Sequence, residues 1–441
     1  MNEKSNIKTR ETAKLENIKY LPILLFILGL IVTLLVSNVP YPNLMRLSED
    51  DYPNEYVPTL VEAGGNCSIP SIVQKLWIDE QEFSINDGKI EIPEAFEPGW
   101  YNLTLQIEGT NNTRKNSLYV TPLNPGNFTF IQVTDTHTPI FMGSDVEERK
   151  NVYDLVNDMG PAFIVDTGDM TDYGLEEQYI NYEYIISDLE MPLYTVPGNM
   201  ETYSDPNLDR YAAHLGPANY YFKFNDTLFV AGAALHAPRS WGGFTDEQIE
   251  FIDGAMAKDA ELKFLLHHIP IVSEEGRDYS LVPWSKRDGI FSQVDRGFDE
   301  INNILSIEQA RVLTGHWHTY SNEFEYNDVI FYNTPSVVRM SGNTDGPRFR
   351  LFRIEDNVIK YDKVISYERL SIHKEYVLAG TEAVISIQND HDFSIPLNLH
   401  LKLAGSPPFV ATQGEVVKNT TSGDIWVSFN APNGYSEFTI H

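Results

Sequence analysis

Five short apolar runs in the middle of the sequence each end in a loop that holds carboxylate, amide or imidazole groups. FTFIQV leads to Asp135-Thr136-His137, AFIVDT to Gly168-Asp169, LYTV to Gly198-Asn199, KFLL to His267-His268-Ile269-Pro270, and RVLT to Gly315-His316-Trp317-His318. Singly these are weak signals, because Asp-x-His is ordinarily a turn and a strand-end histidine is ordinarily a packed or surface group. Their recurrence carries the argument. In open α/β sheets, sites form beyond the carboxyl ends of the strands, so loops far apart in sequence converge there. The donors are oxygen and nitrogen with no thiolate, a set that suits Mn, Fe or Zn, and a shared carboxylate can bridge two ions about 3.5–4 Å apart.

The ordered set Asp-x-His, Gly-Asp, Gly-Asn, His-x-Pro and Gly-His-x-His resembles the calcineurin-like metallophosphoesterase superfamily, with the likeness covering roughly Asn127 to Tyr361. The resemblance implies a four-layer α/β/β/α sandwich and a phosphate-ester substrate. It implies that Asp135, His137, Asp169 and His318 hold one metal ion and that Asp169, Asn199, His268 and His316 hold the other. Asp169 would bridge them, and Asp135, Asp169 and Asn199 are the catalytic candidates. The His-x-Pro spacing selects His268 and leaves His267 to support or packing. Two divalent ions neutralise phosphate oxygens and lower the pKa of a bridging water to give hydroxide. No protein nucleophile is then required; Cys67, the one cysteine, lies far upstream, and no Gly-x-Ser-x-Gly elbow occurs.

The chain departs from the family at two places. Gly198-Asn199 is followed by Met200, where the family usually has a phosphate-contacting histidine that assists the leaving group. General-acid help is worth about 10²–10⁴-fold, so esters with poor leaving groups should suffer. His214 and His236 are replacement candidates by chemistry alone. Purple acid phosphatases place a metal-binding tyrosine three residues after the bridging aspartate, and here that position is Asp172. No tyrosinate–iron bond is expected, and loss of Asp172 should cost much less than loss of Asp169. Two readings follow: a dinuclear-metal hydrolase of phosphate mono- or diesters, or a metal-binding cell-surface protein on an impaired scaffold of the same kind.

The elements that must position these groups divide the sequence. Residues 56–122 show short alternating runs between turn signals and read as a small β-sandwich. Residues 123–366 alternate buried strands with amphipathic helices, an α/β layered domain. Leu175, Tyr179, Tyr182, Ile186 and Leu189 mark one helix, stopped by Pro192, and Thr245 with Gln248 forms a capping box before another. Residues 367–441 return to β patterning as a second small sandwich.

Residues 20–40 (YLPILLFILGLIVTLLVSNVP) carry no charge and are long enough to span a bilayer core of roughly 30 Å. They read as an uncleaved transmembrane anchor, preceded by a Lys-rich cytoplasmic tail (1–19) and followed by a linker (41–55), which places the rest of the chain on the outer face of a cell membrane. Sequons at Asn66, Asn102, Asn111, Asn127, Asn225 and Asn419 are compatible with that side. The 441 residues hold 63 acidic against 32 basic side chains, a formal charge of -31 that repels nucleic-acid backbones and excludes a duplex as partner. Apolar residues at 42% exclude a disordered chain. Oligomeric state has no readable code.

Overall fold

The central strands are covered on both faces. Asn127–Val133 (β1), Phe163–Asp166 (β2) and Thr227–Gly232 (β5) are buried almost from end to end, as expected of strands covered by another layer on each side. The computed structural model describes residues 53–124, 126–237, 239–272, 294–319, 321–339, 346–405 and 407–441. Two sheets form the centre. Leu193–Thr195 (β3), β2 and β1 run parallel, and Arg348–Glu355 (β10) and Val358–Ser366 (β11) complete the first sheet in the order β3-β2-β1-β10-β11. The second contains Asn219–Phe224 (β4), β5, Leu262–Leu266 (β6), Arg311–Thr314 (β7), Asn322–Tyr326 (β8) and Val329–Asn333 (β9), in the order β4-β5-β6-β7-β9-β8, with β5, β6, β7 and β9 parallel.

The sheets meet through aromatic rings. Phe130 of β1 meets Phe229 and Phe264 edge-on at 5.3 and 5.6 Å, and Phe163 of β2 meets Phe222 and Phe229 at 5.5 and 5.2 Å. Each such pair adds about 0.5–1.5 kcal/mol beyond the burial of its area. Helices Ser144–Met159 (α1) and Glu176–Ile186 (α2) cover the outer side of the first sheet, where Tyr153 and Tyr182 both donate to Asp166 Oδ2, at 3.0 and 2.7 Å. Asp209–Leu215 (α3) packs on α2. Asp246–Met256 (α4) and Phe298–Ile307 (α5) pack on β5 and β9 of the second sheet. The expected capping box closes α4: Thr245 Oγ1 accepts from Gln248 N at 3.3 Å and Gln248 Oε1 accepts from Thr245 N at 3.0 Å. The helix expected up to Pro192 stops earlier, at Ile186, and Leu189 sits in the following turn.

Two groups of strands flank this centre. Between Thr59 and Thr121 a five-stranded and a two-stranded sheet enclose a core of their own, including Leu76, Ile92, Leu103 and Leu105. From Leu370 to Ile440, two three-stranded sheets bury Ile385, Leu399 and Val427 in a core continuous with that of the central sheets. Asn398 Nδ2 donates to Thr129 Oγ1 at 3.1 Å, and Lys374 Nζ lies 2.6 Å from Asp158 Oδ1 at that junction.

The expected transmembrane segment at residues 20–40, the tail before it and most of the linker lie outside the described residues. Among the described residues no helix is long and apolar enough to cross a membrane.

Candidate metal centre

Because β1, β2 and β3 run parallel in one sheet, and β6 and β7 in the other, the five loops leave the same edge of the molecule. The loops after β1 and β2 stay knit together: Asp135 N donates to Gly168 O at 2.8 Å and His137 N to Asp169 O at 2.9 Å. Turning the side chains inward requires left-handed backbone at Asp135 (φ 55°), His137 (φ 47°), Asp169 (φ 53°), His316 (φ 70°) and His318 (φ 39°). Such conformations cost on the order of 1–3 kcal/mol each and persist where the surroundings over-determine them, as at ligand clamps. The motif glycines permit the close approach: a Cβ on Gly198 would strike Asp169, and one on Gly315 would strike Thr134.

The side chains fall into two groups that share one member. Donor atoms of Asp135, His137, Asp169 and His318 all lie within 4.8 Å of one another, and so do those of Asp169, His268 and His316. Asp169 Oδ2 is 3.0 Å from His268 Nε2 and 3.9 Å from His137 Nε2. Asp135 Oδ1 is 3.0 Å from His318 Nε2 but not aligned as a hydrogen bond. Imidazole nitrogens face each other at 3.0 Å (His137–His318) and 3.2 Å (His268–His316). Asn199, 2% exposed, has a buried Oδ1 with no hydrogen-bond partner, and so does the buried Nδ1 of His318. The unused amide acceptor of Asn199, beside clustered carboxylates and imidazoles, is costly in a chain alone and fits a cation.

Support for these groups comes from Asp172, in a role that the sequence did not show, and from residues that it did not single out. His268 Nδ1 lies 2.8 Å from Thr167 O, which directs Nε2 inward, and His137 Nδ1 lies 3.1 Å from Asp172 Oδ1. Arg149 Nε and Nη2 donate to the carbonyls of Thr136 and His137 at 2.7 and 2.9 Å, clamping that loop. Glu201, fully buried, accepts from Gly198 N (2.7 Å), Asp169 N (3.1 Å), Thr171 N (2.8 Å) and Thr171 Oγ1 (2.9 Å), so one carboxylate ties the β2 and β3 loops together. Its place directly after Met200 in the motif was the available signal.

Asp172 therefore has a task of its own, orienting His137, although its loss is still expected to cost much less than loss of Asp169. Removing a carboxylate that orients a ligand histidine costs about 10–100-fold in metal affinity or activity. We expect Asp172→Ala to fall in that range, with Asp172→Asn retaining most function because its amide oxygen still accepts from His137. Mn²⁺ titrations of kcat/KM check this, and full activity of the Ala variant would contradict it.

Electrostatically the site is built for positive charge. Burial opposes ionisation of both carboxyls, yet His318 and His268 hold Asp135 well below the usual range, and His268 and His137 hold Asp169 below its ordinary value. Burial likewise opposes protonation of His137 and His268, but their carboxylate neighbours raise them to about 10 and about 9. Burial and the charge of His268 push His316 down to about 3. In the chain alone, protons on two imidazoles thus stand where a metal ion would supply the charge.

His267 is fully buried, edge-on to Phe244 at 5.8 Å and pushed down to about 3 by burial, and does not face Asp169. His214 stacks on Tyr179 and bridges Glu183 and Glu176 of α2 at 2.7 and 3.1 Å. His236 follows β5 at the ligand edge of the second sheet, edge-on to Trp241 at 6.3 Å. For His214, burial lowers the pKa, and Glu183 and Glu176 more than reverse this, leaving it above the ordinary 6.5. A raised folded-state value contributes stability that is present below pH 6.5 and is lost as pH rises through the folded pKa. Thermal melts above pH 6.5 should therefore show a shallower pH dependence in His214→Asn than in the unmodified chain; identical profiles would contradict the pairing.

The calcineurin-like phosphoesterase family model matches residues 128–320. The relative "Probable glycerophosphodiester phosphodiesterase GpdQ" of Arcobacter nitrofigilis is 26% identical over 161 residues, which cover 32% of this chain and 57% of that relative. The chain thus spans little more than half of that protein. Similar solved structures include a dimetal phosphatase from Danio rerio (14% identity, TM-score 0.41, covering 54% of this chain and 99% of that one). Purple acid phosphatase from yellow lupin, Lupinus luteus, is another (12% identity, TM-score 0.41, 68% and 59%). These structural likenesses are too distant to bear on function. With the ordered motif, the converging donors and the match over residues 128–320, the chain carries a domain of the calcineurin-like phosphoesterase family.

Proposed function

We propose that this chain hydrolyses phosphate mono- or diesters at a two-metal site, with water as the nucleophile. The observation that carries this is the pair of donor groups sharing Asp169. Asp135, His137, Asp169 and His318 would hold one ion, and Asp169, Asn199, His268 and His316 the other. Bound Mn, Fe or Zn ions would neutralise phosphate oxygens and acidify a shared water. The chain's own residues place the donors: Asp172 and Thr167 orient His137 and His268, while Arg149 and Glu201 fix the loop backbones. The uncharged stretch at residues 20–40 supports a single-pass anchor with the catalytic domain outside the cell membrane.

Hydrolysis of bis(p-nitrophenyl) phosphate and p-nitrophenyl phosphate by purified protein with added Mn²⁺ tests the activity. A diester is the natural first substrate, given the name of the Arcobacter relative. Two metals bound without turnover on any ester would favour the second reading, a metal-binding cell-surface protein, which Met200 supports.

Met200 is half-exposed, and its backbone N–H donates to Asp169 Oδ1 at 2.9 Å. Its side chain offers no proton. Tyr203 hydroxyl lies 3.4 Å from Asn199 Nδ2, but burial and then Asp169 raise its pKa, which makes it a poor acid at neutral pH. Activated aryl esters, which leave as stabilised phenolates, should therefore be hydrolysed much faster than alkyl esters. Met200→His should narrow that gap modestly, because an imidazole misplaced by about 1 Å can lose 10²-fold. Equal kcat/KM on both ester types in the unmodified chain would show that another group already donates the proton.

A further inference from the structure

The loop that follows the Asp135–His137 motif carries Ile140, Phe141 and Met142 into solvent, with Phe141 82% and Met142 54% exposed. Tyr173, next to Asp172, and Ile180 and Tyr184 of α2 are exposed large side chains on the adjoining elements. The elements are tied together: Asn181 Nδ2 donates to the carbonyls of Pro139 and Ile140 at 2.9 and 3.0 Å, and Thr138 bridges to Thr171. Ile180 and Tyr184 are one turn apart and so share a helix face. The other exposed large apolar residues among those described, such as Ile72, Ile307 and Val410, lie on separate elements. A gathered apolar rim beside a site is a binding surface rather than the ordinary scatter of a soluble face.

We propose that this rim seats on the surface of a phospholipid bilayer, holding the metal cleft against lipid headgroups, so that the substrate is a phosphate ester presented at a membrane. The proposal rests on the reading of residues 20–40 as an anchor. Described chain begins at Pro53, and Tyr56 hydroxyl donates to Ala213 O of α3 at 3.1 Å, next to His214, which bridges to Glu183 and Glu176 of α2. The segment leading from the anchor therefore joins the fold on the flank of α2, the helix that carries Ile180 and Tyr184. Residues 41–52 can extend at most about 40 Å, which keeps the domain within reach of the bilayer. Phe, Tyr, Met and Ile suit an interface in which rings lie at headgroup depth. Carboxylates on the same helices (Glu147, Glu176 and Glu183) give no attraction to anionic lipid, so a zwitterionic surface fits best.

Full-length chain reconstituted in phosphatidylcholine vesicles tests this. Cys67 is buried, so Met142→Cys offers a single accessible thiol for a nitroxide label, and Glu415→Cys on an exposed strand of the C-terminal region provides a reference. Expected is a label at 142 that is severalfold less accessible to a water-soluble nickel complex than the label at 415 and more accessible to oxygen, with no change at high salt. Equal accessibility at both positions in chain that floats with the vesicles would overturn the proposal and leave the anchor standing. Spin–spin broadening at 142 would mean that a second copy covers the rim, which also overturns it. Chain that fails to float would overturn the anchor and this proposal together.

Discussion

Asp169→Ala is expected to abolish hydrolysis and to leave the purified chain with substoichiometric metal. Asp169 is the single member common to both donor groups, and one of its oxygens faces His268 and His137 while the other accepts Met200 N–H. On the two-metal proposal, its loss would remove a negative charge from both donor groups at once, where the loss of any other donor would weaken one. Deleting a single charge-stabilising group from a buried site costs on the order of 10²–10³-fold in kcat, and loss of both ions would cost more. Asp169→Asn keeps the size and an acceptor for Met200 N–H but not the charge, so it should fold and still bind metal poorly. Metal analysis after dialysis, with circular dichroism to confirm folding, checks both variants. An Ala variant that retained two tightly held ions per chain would remove Asp169 from the centre.

Glu201→Ala should have the largest effect on stability. Three backbone N–H groups and the Thr171 hydroxyl converge on its buried carboxylate, and each buried donor without an acceptor costs about 1–3 kcal/mol. Water entering the vacated space recovers part of this, for a net loss of about 3–5 kcal/mol and a Tm lowered by roughly 10 °C. Glu201→Gln is not a mild substitute. Its amide oxygen can still accept from Thr171, but its NH₂ would then face the N–H groups of Gly198 and Asp169, donor against donor. Both variants should lose metal affinity, since the loops after β2 and β3 would no longer be fixed. A Gln variant with unchanged melting and unchanged metal content would contradict the clamp.

Much of this architecture is legible because strands and helices write their burial into local periodicity. The runs FTFIQV and KFLL are buried strands because both faces meet other layers, and Thr245 with Gln248 announces a helix through a three-residue spacing. The donor loops are legible for the same reason, each lying just past a strand end. What is not legible depends on pairs far apart in sequence. Nothing in the sequence around His137 says that Asp172, 35 positions away, accepts its outer nitrogen, or that Thr167 O serves His268 across 101 positions. The left-handed backbone of Asp135, His137, Asp169, His316 and His318 is equally silent, since Asp and His tolerate that region better than most residues but occupy it only in a small minority of cases. The expectation that α2 runs toward Pro192 fails because Leu189 continues the apolar spacing into a turn after the helix has ended at Ile186.

The most direct test of the two-metal account is a crystal of the Mn²⁺-loaded protein measured at the manganese absorption edge. Two anomalous peaks about 3.5–4 Å apart, one on either side of the Asp169 carboxylate, are predicted. A single peak, or two peaks neither of which touches Asp169, would contradict it.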